Sequence, residues 1–537
     1  MKNKIAEEIL NFLETIKMNY QNRDKITMII ESLYDYQQEA LKAAIFEKKG
    51  KIILPTGTGK TRIQAALIAI NILMNGAKFE MYIINAPRIM LSYQLLREVY
   101  SFIIRFGIEA RYMCVHSGGQ ADILELEKIR ELANYDLEES IKYSDFSSGT
   151  SIDAIKEMIS KASTQKLPLI FFSTYNSADK IEFSIFGEKK IEIVVNDEAQ
   201  YLVQERFYDI HKILKPNRCF FFTATEKHSD SDDGRGMNNE KIFGKTLYIM
   251  TPIDAILKGK MVRPRMHFVH LKNQKIEFNK EEFQNSVPIL IEESFYQHQY
   301  ATRGITPKML ISVTGTKDML KFWKSENYES LRNMGINIYM VSSNEEIGNN
   351  INGEMTSRQD FLKRLKKDGE DYSKSLIVLH FDILAEGIDV SGFTGIMPLR
   401  ELSDSKFYQT YGRAARLDPR DRKKVEEGKL DPKTTDGFIK KFAWVIIPEI
   451  ILENNDNKQH IEFLIDKMRE FGFNPVDDVL ISNDANGLPT IDGPDALNNL
   501  KRRCPNIGKK IEEVEAKYED ERIASLSMIE FIKEITL

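Results

Sequence analysis

The run KIILPTGTGKTRIQAALIAI, residues 51–70, constrains this chain more than any other stretch. Its β-branched opening breaks at Pro55 and reads as a buried strand, while the apolar residues after Lys60 read as a helix. Between them Gly57 and Gly59 make a tight turn of the kind that needs positive φ. Strand, glycine-rich turn and helix N-terminus in that order form a cradle for phosphate, because backbone N–H groups and the helix dipole converge on one point. Lys60 brings a point charge, Thr61 a hydroxyl able to ligate magnesium, and Thr56 and Thr58 complete the loop. The strict form of the pattern has glycine where this chain has Leu54.

Around this loop the texture is uniform. KIILP, MYIINAP, PLIFFST, IEIVVNDEA and CFFFTAT are short apolar runs separated by helical patterns, as expected of a parallel α/β sheet. A second series follows in KMLISVTG, INIYMVSS, SLIVLHF, GFTGIMPL and FAWVIIP. The expected architecture is α/β, with two tandem parallel-sheet lobes. A helical segment at 1–30 precedes a first lobe at 31–250, which carries a charged helical insertion at about 119–166. A connecting segment at 251–304, a second lobe at 305–450 and a helical C-terminal region at 451–537 follow.

Of the 537 residues 42% are hydrophobic and 29% charged, enough apolar material for several cores. Lys plus Arg number 75 and Asp plus Glu 80, so the net charge of −5 excludes a uniformly basic coat but not a local basic groove. Cys114, Cys219 and Cys504 are far apart, which supports neither a disulfide framework nor a zinc knuckle. No run of about 18 uncharged apolar residues occurs, so a soluble cytoplasmic protein with no membrane partner is expected.

The strand IEIVV ends in Asn196-Asp197-Glu198-Ala199-Gln200. Carboxylates at the tip of a buried strand are costly unless they serve a cation or a reaction. Asp197 is placed to hold magnesium and Glu198 to orient or deprotonate an attacking water. In combination with the phosphate loop, this motif resembles those of superfamily 2 helicases and translocases, which are built from two RecA-like lobes.

That resemblance covers about residues 33–447 and implies roles for further positions. Gln37, in YQQEA, would read adenine. Pro87, Arg88 and Gln94, and then Ser173, Thr174 and Tyr175, would touch the backbone of a tracked strand. Thr223 and Thr225 would couple hydrolysis to movement, and Gly387 and Asp389, in LAEGIDV, would contact nucleotide. In QTYGRAAR, Gln409, Arg413 and Arg416 match the family's arginine-finger motif, and their i, i+4, i+7 spacing puts them on one helical face. Gln200 departs from the His or Asp that many relatives carry, yet its amide could still bridge Thr223 or Thr225 and Gln409.

The activity implied is an ATP-dependent nucleic-acid motor that hydrolyses Mg-ATP between its lobes. DNA is favoured over RNA, because Ser229–Asp233 followed by Gly234-Arg235-Gly236 is loosely similar to a loop of restriction-enzyme motor subunits and phage recombination helicases. Alternatives are a duplex-DNA translocase of a restriction or phage-defence complex that never separates strands, and an RNA helicase. No nuclease signature is found, so a partner protein would supply cutting or specificity. An inactive nucleotide-gated scaffold fits poorly with a complete set of motifs. Lys501, Arg502 and Arg503 form a short basic cluster, read either as a duplex contact or as a solvated patch.

Overall fold

The computed structural model describes residues 2–15, 22–116, 146–185, 190–229, 234–269, 280–302, 304–381, 390, 392–448, 458–473, 478–482 and 489–492, with single positions at 495, 496, 498 and 502. The chain divides into two compact units, Met1–Met250 and Thr251–Leu537.

The first unit holds eight strands: β1 (Lys49–Ile53), β2 (Met81–Ala86), β3 (Arg111–Val115), β4 (Phe146–Ser148), β5 (Leu169–Thr174), β6 (Ile191–Asn196), β7 (Arg218–Thr223) and β8 (Thr246–Ile249). They form one sheet in the order β4-β3-β5-β2-β6-β7-β1-β8, every pairing parallel. All six residues of β2 and of β5 are buried, as a sheet covered on both faces requires. Helix Lys60–Met74 is apolar almost all round and lies in the core, with buried residues running from Ile63 to Leu73.

Three strands are additional to the five expected here. β3 carries Arg111, which is buried and donates from Nε to Gln165 Oε1 at 2.8 Å, so the arginine masks an apolar strand. β4 is only three residues long, and β8 is a half-exposed edge. The second half of the expected insertion is part of the lobe. β4 extends the sheet, and helix Ile152–Gln165 packs Ile155, Met158, Ile159 and Ala162 into the core. The charged run DILELEKIRELA lies outside the described residues.

The second unit has a ten-stranded sheet: β9 (Arg263–Val269), β10 (Lys308–Ser312), β11 (Asn337–Val341), β12 (Asn349–Ile351), β13 (Glu354–Met355), β14 (Leu376–His380), β15 (Gly395–Pro398), β16 (Phe442–Pro448), β17 (Val479–Ser482) and β18 (Pro489–Asp492). Their order is β13-β12-β11-β14-β10-β15-β16-β9-β17-β18. The inner pairings are parallel, and antiparallel ones occur at the two edges, β11 to β12 to β13 and β17 to β18. Both units are RecA-like α/β lobes, with mainly parallel sheets and helical crossovers.

Residues 251–304, expected as a connector, contribute helix Pro252–Leu257, strand β9 and helix Lys280–Ala301 to this unit. The C-terminal stretch expected to be helical holds helix Lys458–Glu470 and also β17 and β18, because β9 offers a free edge for β17. Arg502 is exposed, whereas Lys501 and Arg503 lie outside the described residues.

Candidate active site

The phosphate loop leaves the carboxyl end of β1 and turns into the helix starting at Lys60. Gly57 and Gly59 have φ of 84° and 81°, so both glycines are required by the backbone. Gly59 is also crowded: a Cβ there would lie 2.6 Å from Gln37 Nε2. The loop is braced from outside. Tyr36 donates its hydroxyl to the Thr58 carbonyl at 2.7 Å, and Gln37 Nε2 reaches the carbonyls of Thr58 and Gly59 at 3.1 and 3.3 Å. Gln37 Oε1 accepts from the Tyr34 N–H at 3.0 Å. Gln37, expected to read adenine, is fully buried and acts in this structure as a brace of the loop.

Lys60 is buried and points its ammonium along the loop, donating to the Leu54 carbonyl at 3.2 Å. Thr58 Oγ1 donates to the Pro55 carbonyl at 2.7 Å, while Thr56 Oγ1 is buried with no hydrogen-bond partner. Thr61 is half-buried in the first turn of the helix. The leading N–H groups of a helix have no intrahelical acceptor. These N–H groups, an orphaned hydroxyl and a buried ammonium make a donor set suited to an oligophosphate.

The acidic tip of β6 sits two strands away, since the order runs β6-β7-β1. Asp197 is buried, and Gln64 Nε2, one helical turn beyond Lys60, donates to its Oδ1 at 2.7 Å. Burial and the neighbouring Glu198 push the Asp197 carboxyl well above the ordinary range, with Lys60 and Gln64 acting against them. A bound cation would offset that burial and like charge, and a carboxylate oxygen tied through Gln64 to the phosphate-loop helix is the kind of donor a hard divalent cation takes. Asp197 and Thr61 are the residues that would hold Mg2+.

Glu198 adopts a left-handed conformation, φ 50° and ψ 49°, at the sharp turn into the 3₁₀ segment Ala199–Val203. Its Oε2 accepts from Gln200 Nε2 at 2.7 Å, and Gln200 Oε1 lies 2.6 Å from Thr223 Oγ1. The same Thr223 hydroxyl is 2.6 Å from the Thr225 carbonyl and, having one proton, donates to one of the two at a time. Glu198, Gln200, Thr223 and Thr225 thus form one connected chain, and the Leu54 N–H joins it to the phosphate loop through the Thr223 carbonyl at 3.0 Å.

Ser173, Thr174 and Tyr175, expected to touch a nucleic-acid backbone, have their side chains inside the lobe at 0, 5 and 2% exposure. Tyr175 donates its hydroxyl to the Asp197 carbonyl at 2.6 Å and so supports the acidic motif from below. Tyr175→Phe leaves that buried carbonyl without its partner, at a cost of about 1–3 kcal/mol. The measurable result is a fall of about 2–4 °C per kcal/mol in the first unit's thermal midpoint. Of the other expected contacts, Arg88 is exposed ahead of helix Ile89–Arg105 and Pro87 is half-buried. Gln94 pairs with Glu98 at 2.8 Å on that helix.

In the second unit helix Asp404–Ala414 carries Gln409 and Arg413, both buried and one turn apart. Gln409 Oε1 has no hydrogen-bond partner among the described residues. The helix ends before Arg416, so the three residues do not continue one helical face as their spacing suggested. Its end is set by tertiary contacts. Lys440 Nζ donates to the carbonyls of Ala414 and Arg416 at 2.5 and 2.7 Å, the Val262 N–H donates to the Ala415 carbonyl, and Met261 bridges Arg416. Asp421 fixes this lysine by accepting from the N–H groups of Ile439 and Lys440 at 3.0 and 2.9 Å. Burial draws the Lys440 ammonium down to about 7. Gly387 and Asp389 lie outside the described residues.

The sequence pattern does not single out Tyr36, Gln64 or Lys440, and it offers Tyr175 only as a nucleic-acid contact. Gln64 has a signal, being a polar residue one turn after Lys60 on a mainly apolar helix. Lys440 has none.

Residues 30–228 match the family described as type III restriction enzyme, res subunit. No curated protein matches the sequence. Among solved structures, the ATP-dependent type ISP restriction-modification enzyme LlaBIII bound to DNA is similar with a TM-score of 0.58 and 17% identity, over 89% of this chain and 33% of that one. A nuclease-deletion mutant of the type ISP enzyme LlaGI, in complex with a DNA substrate mimic, gives a TM-score of 0.52 and 17% identity, over 82% and 29%. The chain spans about a third of the length of these enzymes, and at such identity the likeness is one of fold. In the order of its motifs, in the family matched by its first unit and in its RecA-like lobes, the chain resembles superfamily 2 helicases and translocases.

Proposed function

We propose that this chain is an ATP-dependent motor that moves along DNA. The observation that carries the reading is the connected set Lys60, Gln64, Asp197, Glu198, Gln200 and Thr223 at the carboxyl ends of β1, β6 and β7. Ligands of open α/β sheets bind at such ends. The phosphate loop and Lys60 hold the oligophosphate, and Asp197 and Thr61 would hold Mg2+, which when bound would supply positive charge to the phosphate groups. Glu198 orients the attacking water and takes its proton. Gln200 and Thr223 hold the Glu198 carboxylate and report its state to the strand tip. Arg413 and Arg416 are the guanidinium groups proposed to stabilise the charge of the transition state.

The test is steady-state ATP hydrolysis alone and with single-stranded DNA, duplex DNA or RNA. Strong stimulation by DNA supports the reading, and turnover indifferent to every polymer overturns it. Lys60→Ala removes the buried ammonium from the cradle and lowers turnover by about 10²–10³. A fluorescent ATP analogue reads the accompanying loss of affinity.

A second reading, a duplex translocase within a restriction complex, draws on the fold likeness to type ISP enzymes. In that case partner domains supply cutting and specificity. Displacement of a triplex-forming strand without separation of duplex strands selects it.

A further inference from the structure

We propose that Phe381 and Arg400 form a platform on which the second unit stacks one base of a single DNA strand. The proposal rests on the motor reading above and names the part of the substrate that this unit grips.

The platform is built by the sheet. β10 lies between β14 and β15. The Val313 N–H donates to the His380 carbonyl at 3.1 Å and the Leu399 N–H to the Ser312 carbonyl at 2.9 Å. These bonds place the ends of β14 and β15 on either side of the carboxyl end of β10. Phe381 and Arg400 are the residues just beyond, and the guanidinium carbon stands 4.5 Å from the centre of the phenyl ring.

A phenylalanine is ordinarily buried, yet Phe381 is 37% exposed. It is held upright there by the cation–π contact with Arg400. The position is also at the carboxyl ends of parallel strands, where ligands of open α/β sheets bind. An aromatic face with an adjoining guanidinium matches the two chemistries of a single strand, the π-face of a base and the negative charge of its phosphate. A duplex offers no such free base face.

The chain connectivity gives the platform a consequence. Phe381 immediately precedes the segment that contains Gly387 and Asp389. Arg400 stands three residues before Ser403, the N-cap of the helix that carries Gln409 and Arg413. The pair therefore neighbours, along the chain, both segments assigned to the nucleotide.

The experiment compares the full-length protein's affinity for an oligothymidylate of about 20 nucleotides with that for an abasic strand of equal length, which keeps the phosphates and lacks every base. The wild-type protein binds the thymidylate more tightly, and Phe381→Ala reduces this preference by about 5- to 100-fold. Phe381→Trp retains it. Each preference is a ratio within one protein sample, so an inactive fraction cancels. An unchanged preference in Phe381→Ala, or a wild-type protein that binds both strands equally, overturns the platform while leaving the motor reading standing. A wild-type protein that binds neither strand nor duplex overturns both.

Discussion

Glu198→Gln lowers ATP turnover by about 10²–10⁴ while the nucleotide stays bound. The substitution is isosteric, and a glutamine amide oxygen can still accept from Gln200 Nε2, the bond that measures 2.7 Å in the wild-type chain. The Gln200–Thr223 bridge and the strand tip therefore keep their geometry. The left-handed backbone at residue 198, φ 50°, costs glutamine no more than glutamate. What disappears is the negative charge and the ability to take a proton from water. Asp197, one residue earlier, loses a like charge that raises its carboxyl, so the cation ligand becomes more readily ionised. The expected protein holds Mg-ATP and DNA and does not release them through hydrolysis. Single-turnover hydrolysis and analogue binding, measured on the same sample, read the two effects separately. Normal turnover removes Glu198 from the role of catalytic carboxylate.

The parts of this site that could be read from the sequence are those made by contiguous residues. Strand, glycine turn, Lys60 and helix lie within residues 51–70, and the acidic tip is a tetrapeptide after an apolar run. All ten apolar runs chosen as strands are strands in the structure. The parts that escaped depend on pairing between distant residues. Gln64 meets Asp197 across 133 positions, and Tyr175 meets the same residue's carbonyl across 22. Nothing in a local pattern marks a tyrosine as a brace rather than as a surface contact, and only the fold shows that the Ser173–Tyr175 side chains lie inside the lobe. β3 was obscured by Arg111, whose burial depends on Gln165, 54 residues later. The end of helix Asp404–Ala414 follows the same rule. Its local sequence favours continuing through Arg416, and a lysine 24 residues downstream stops it.

That stop bears on the largest expected effect. On the finger role proposed above, Arg413→Lys keeps the positive charge of residue 413 and is expected to lower turnover by about 10³–10⁵. A guanidinium presents a rigid planar fork to two phosphate oxygens, whereas an ammonium on a flexible stem is a single point charge. The position is suited to such a fork. Arg413 lies in the last turn of its helix, where a cation is favoured by the dipole, and Lys440 pins the helix end through the carbonyls of Ala414 and Arg416. The backbone that carries the guanidinium is therefore anchored, which limits the entropy lost when the side chain engages an anion. Since Arg413 is 6% exposed, a truncation to alanine would combine a cavity with the loss of charge. The lysine variant avoids that confusion. The expected result is unchanged affinity for an ATP analogue together with a turnover defect at every ATP concentration. A fall in affinity matching the fall in turnover would instead make Arg413 a ground-state binding residue.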